Sequence, residues 1–72
     1  MTPKQLKAAR LKLGFTLPQM ARALGYRGNY AKDTVWGLEN GKGTATIKKR
    51  HADIIEAFLG GFRPKDWPKD WP

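Results

Sequence analysis

The 72-residue chain has no cysteine, which excludes disulfide staples and thiolate metal sites. It has one histidine and six acidic residues. The four aspartates are widely spread, so the sequence supplies no metal-ligand set. No nucleophile stands beside a base in a pattern that catalysis needs. No apolar run approaches the ~18 residues of a membrane span, and no signal-peptide core appears. The expectation is a soluble, cytoplasmic chain without enzymatic activity, cofactor or small-molecule ligand. At this length it makes one domain and buries only ~60% of its unfolded surface, too little for a core plus a deep catalytic cleft.

Acid is also missing from one end. Residues 1–28 carry Lys4, Lys7, Arg10, Lys12, Arg22 and Arg27, and the first carboxylate is Asp33. The net charge is +8. A one-signed field at one end of a small domain attracts a polyanion, most commonly nucleic acid. The bland alternative is a basic surface that binds nothing.

No segment alternates with the period of a strand, so the chain reads as all-α, with four to five helices. Thr2 caps a helix that opens on Pro3, and Gln5 completes a capping box. Leu6, Ala9 and Leu13 share its inner face, and Gly14 stops it. Thr16 and Gln19 repeat the device. Leu17, Met20, Ala21 and Leu24 line the second helix, which Gly25 ends. Residues 26–29 form a turn, and Asn29 caps a third helix from about Tyr30 to Glu39, with Val35 and Leu38 inward. After Asn40-Gly41, a fourth helix starts at Thr44 or Thr46 and turns Ile47, Ile54, Ile55, Phe58 and Leu59 inward. His51 falls on that same side, as a core or interface residue.

The run Thr16, Met20-Ala21, Leu24-Gly25, Thr34-Val35, Leu38-Glu39-Asn40-Gly41 resembles the XRE family of helix-turn-helix regulators, which includes the phage Cro and cI repressors. The likeness covers about residues 2–59. It implies a Cro/cI-like DNA-binding domain over residues 1–60, with the helix-turn-helix at about 16–40. It also implies that Arg10 pairs with Glu39, clamping the first helix to the third; a snorkelling arginine is the alternative. Two departures stand out. Thr34 follows Gly25 by nine residues where the family usually places about five. Leu17 stands where the family often has a phosphate-contacting glutamine. The four extra residues either lengthen the turn or extend the third helix, and a longer turn with a slightly extended helix is preferred because Gly28 disfavours helix.

In this reading the third helix enters the major groove. Its outward candidates are Tyr30, Lys32, Asp33 and Trp36, with Arg27 and Asn29 before them. Lys donates to guanine and Asp accepts from cytosine N4. Trp36 as a core aromatic is the alternative. Phosphate contacts fall to the amides behind Thr16, to Gln19, and to the loop residues Asn40, Lys42 and Thr44. Gly37 lets the backbone come close to DNA or to the first helix.

Residues 61–72 are a separate tail in which Pro-Lys-Asp-Trp occurs twice, at 64–67 and 68–71. An extended, polyproline-like path is expected. The tail and the fourth helix offer Ile55, Phe58, Phe62 and Trp67 as a homodimer contact, with Phe62 and Trp67 as anchors. The expected function is a dimeric repressor, of a phage or mobile-element promoter, on an inverted-repeat operator in double-stranded DNA. A DNA-binding antitoxin and a protein-interaction adaptor without DNA binding are the alternatives.

Overall fold

The computed structural model describes residues 1–42 and 46–72. The described residues form four helices, α1 (Pro3–Leu13), α2 (Leu17–Ala23), α3 (Ala31–Asn40) and α4 (Lys49–Leu59). No strand occurs among the described residues. Among the described residues no helix is long and apolar enough to cross a membrane.

The first two helices begin alike. The Gln5 N–H donates to Thr2 Oγ1 at 3.1 Å, and the Thr2 N–H donates to Gln5 Oε1 at 2.9 Å. Thr16 and Gln19 repeat both bonds, at 3.3 and 2.8 Å. All four helices also close alike, with a bond spanning six residues. Phe15 donates to the Arg10 carbonyl, Tyr26 to Ala21, Lys42 to Gly37 and Phe62 to Ala57. That closure needs a left-handed residue just past the helix. Gly14 supplies it after α1 with φ 76°, and the reversed chain then drops Phe15 into the core at 3% exposure.

Leu6, Met20, Leu24, Val35, Leu38 and Ile55 fill the centre, each at most 2% exposed. Helix α3 packs on both α2 and α1, and α1 also meets α4. In α4 the inner face is His51, Ile55 and Phe58, an i, i+4, i+7 stripe. Leu59 falls outside that stripe and is 41% exposed, against the expectation that it turns inward.

Two helix starts differ from expectation. Tyr30, not Asn29, holds the cap position of α3, with no side-chain cap bond. Gly25 and Gly28 both have positive φ, so the chain cannot turn helical before Gly28, and the extra residues lengthen the turn. Helix α4 begins at Lys49 and not at Thr46, and Thr44 lies outside the described residues. Its first turn is secured by His51, whose Nδ1 accepts the Lys48 N–H at 3.0 Å.

The tail is not extended. Each Pro-Lys-Asp-Trp unit closes a four-residue turn. Trp67 N–H donates to the Pro64 carbonyl at 3.1 Å, and Trp71 N–H to Pro68 at 3.2 Å. The first turn inserts Trp67 into the domain, 8% exposed, with its ring 5.4 Å from Phe15 and 5.2 Å from Phe58. Burying an aromatic of ~150–250 Å² is worth about 4–6 kcal/mol. That gain outweighs the ~1–3 kcal/mol cost of an indole N–H left without a partner, which is the state of Trp67 Nε1 among the described residues. Arg63 straps the tail down: it donates to the Phe58 carbonyl and the Pro72 carbonyl, both at 3.0 Å, and lies over the Phe58 ring.

This placement revises the dimer contact. Ile55, Phe58 and Trp67 are spent inside their own chain, because the bare indole finds an apolar slot closer than a second molecule. Of the four residues only Phe62, at 54% exposure, faces outward.

Candidate nucleic-acid interface

Helix α3 is held rigidly from behind. Arg10 Nε donates to Glu39 Oε2 at 2.7 Å, and a second guanidinium nitrogen donates to Oε1 at 3.2 Å. The third donates to the Phe15 carbonyl at 3.0 Å. The side chains are 14% and 2% exposed. All three nitrogens of Arg10 are used, and one residue ties α1, α3 and the approach to α2 together. A fork-on-fork pair of this kind fixes orientation as well as energy.

The opposite face of α3 carries the outward residues. Lys32, Trp36 and Asn40 lie one turn apart and are exposed, with Asp33 beside them. Trp36 is 50% exposed and Tyr30 78%. Trp36 is therefore outside the core. Asn40 folds back, its Nδ2 donating to the Trp36 carbonyl at 2.8 Å, which leaves its carbonyl oxygen for a partner. Arg27 and Asn29 stand exposed in the preceding turn, and Lys42 just past α3. Thr44 lies outside the described residues.

Gly37 serves neither DNA nor the first helix. It is buried, and a Cβ there would sit 3.1 Å from the Lys42 carbonyl oxygen. The missing side chain makes room for the chain turning off α3.

The start of α2 offers fewer donors than expected. Pro18 has no N–H, and the Gln19 N–H is taken by Thr16 Oγ1. Gln19 Oε1 is likewise occupied by the Thr16 N–H. What remains for an anion is the Leu17 amide, the Thr16 hydroxyl proton and the Gln19 side-chain NH₂. Lys48, Lys49 and Arg50, at the start of α4, are exposed, and Lys49 pairs with Asp53 at 3.1 Å within α4, a surface contact of small energetic weight.

A buried histidine pairs with a half-buried tyrosine. His51 is 1% exposed, and its Nε2 lies 3.1 Å from the Tyr26 hydroxyl. Because Nδ1 accepts the Lys48 N–H, the neutral ring carries its proton on Nε2. The sequence marks Tyr26 only by its place after Gly25, where a helix-closing residue packs inward. Burial first, then the charges of Arg50 and Lys48, hold the His51 pKa below its ordinary 6.5. The native state thus binds this proton less readily than the unfolded chain. The contribution is fully present above pH 6.5 and is lost as pH falls below it. We expect thermal stability to drop between about pH 7 and pH 5, at no more than about 1.4 kcal/mol per pH unit from this group. In His51→Gln the slope over that window should flatten; an unchanged slope assigns the loss to other groups.

Among the described residues no group of three His, Asp or Glu side chains is placed to hold a metal ion. At α3 the surface carries a cation, Lys32, an acid, Asp33, and two exposed aromatics, Tyr30 and Trp36. No family model, no curated protein and no solved structure matches the chain.

Proposed function

We propose that the chain is a sequence-specific DNA-binding transcriptional regulator, a Cro/cI-like helix-turn-helix protein acting as a homodimeric repressor on an inverted repeat. The observation that carries the reading is the division of α3. One face is locked into the core by Val35, Leu38 and the Arg10–Glu39 pair. The other presents Tyr30, Lys32, Asp33, Trp36 and Asn40 to solvent. A rigid helix with exposed hydrogen-bonding side chains suits base edges in a major groove. The +8 charge supplies the sequence-independent attraction to phosphate. Arg27, Lys42, Thr16 and the Gln19 amide group flank the helix as backbone contacts.

One domain of this size makes few base contacts, so two copies on two half-sites are needed for useful discrimination. Phe62 and Leu59, exposed at the end of α4, are the apolar surface for that pairing. Selection of duplexes from a random pool by the full chain should enrich an inverted repeat. Enrichment of no sequence at all overturns the repressor reading.

The exposed Trp36 and Tyr30 favour a second reading, an adaptor that binds a protein through α3, because aromatics anchor protein interfaces. Binding to a partner protein with no measurable affinity for any duplex supports the adaptor.

A further inference from the structure

The second Pro-Lys-Asp-Trp turn does something the first does not. It brings Trp71 against an open cleft of about 380 Å³, formed by α2, the turn before α3 and the start of α3. Three cations line it, Arg22, Arg27 and Lys32, together with Tyr26, Asn29 and Trp71, and no carboxylate does. The wall is anchored. Arg22 donates to the Asp66 carbonyl at 3.2 Å and lies 5.8 Å from the Trp71 ring centroid. Trp71 stands edge-on to the buried Trp67, with ring centroids 5.1 Å apart. Asp66 partly offsets the charge of Arg22, at 3.6 Å from its guanidinium, so Arg27 and Lys32 carry the attraction for an anion.

We propose that this cleft binds a nucleotide unit. The phosphate meets Arg27 and Lys32, and the sugar or base lies against Trp71 and Tyr26. Three cations without a lining acid select an anion, and planar guanidinium donors match phosphate geometry. A bare anion leaves most of the volume empty, whereas the space falls in the ~300–1,000 Å³ range of small-ligand sites. The aromatic wall suits a flat ring, since every base has a face to stack. The unit comes either from a free nucleotide or from a nucleic-acid strand. The cleft shares Arg27 and Lys32 with the proposed DNA surface, but it does not rest on α3 reading bases.

The test is an isotope-labelled full chain titrated by NMR with AMP, with adenosine and with a hexathymidylate strand. AMP or the strand should shift amide signals over residues 21–32 and the Trp71 indole N–H, and adenosine should bind more weakly. Arg27→Ala and Trp71→Ala should each weaken binding by about tenfold, and Trp71→Phe should restore most of it. A melt of Trp71→Ala close to wild type separates this loss from unfolding, since Trp67 remains in the core. AMP binding alone assigns the cleft to a free nucleotide, and strand binding alone assigns it to a nucleic-acid backbone. No shift with either probe, or adenosine binding as well as AMP, overturns the proposal. Absence of duplex selectivity with AMP binding intact overturns the regulator reading and leaves the cleft standing.

Discussion

Arg10→Met is expected to lower the unfolding free energy by about 3–5 kcal/mol. The substitution keeps most of the stem volume and removes the charge. Glu39, 2% exposed, then keeps a carboxylate in the interior with neither of its two guanidinium donors. The Phe15 carbonyl loses its partner as well. A chain of this length has a total stability of roughly 4–11 kcal/mol, so the loss is a large fraction of the whole. Replacing both residues, as Arg10→Met with Glu39→Leu, should cost less than Arg10→Met alone, because no buried charge is left behind. Urea denaturation of the two variants and the wild type decides it. A double variant no better than the single one shows that packing, and not the unpaired carboxylate, sets the loss.

Trp67→Ala is expected to cost a comparable ~3–5 kcal/mol. The ring touches Phe15, Phe58 and Trp71, so its removal opens a cavity at the place where α1, α4 and the tail meet. Trp67→Phe should be far milder. It shortens the ring, and it also removes an indole N–H that has no partner among the described residues. Truncation after Gly61 removes Trp67 together with the Arg63 strap, and it should unfold the domain. That outcome differs from the loss of dimerisation alone that a free tail would give. Circular dichroism of the truncated chain, run beside sedimentation, separates the two. A truncated chain that stays fully helical shows that the tail merely rests on a core complete without it.

The parts of this structure that were legible in the sequence are those fixed by near neighbours. Thr2 with Gln5, and Thr16 with Gln19, announce two helix starts because both partners lie within one turn. Leu6, Ala9, Met20, Val35 and Leu38 fall on inner faces because helical spacing alone puts them there. Local cues mislead where two compete. Asn29 is a good cap residue, but Gly28 beside it takes positive φ, and the helix starts two residues later. Gly37 looked like a site of close approach to DNA or the first helix, whereas the approaching atom is the carbonyl of a loop residue five positions on. The tail was illegible for a different reason. Proline and charge suggested an extended solvated strand, and the slot for Trp67 is built by Phe15 and Phe58, far away in the chain. Of the candidate site, the exposure of Lys32, Asp33 and Trp36 follows from helix phase. The spending of Gln19 and Asn40 on their own backbone follows only from three-dimensional geometry.

The central claim is that the outer face of α3 reads bases. Titration of the selected duplex and of its single-base variants, with wild type and with Lys32→Ala and Asp33→Ala, tests it most directly. The account predicts that each substitution flattens discrimination at particular base pairs, by about 1–3 kcal/mol, while Lys42→Ala weakens all duplexes alike and shallows the salt dependence. Lys32→Ala and Asp33→Ala acting equally on every duplex would contradict it.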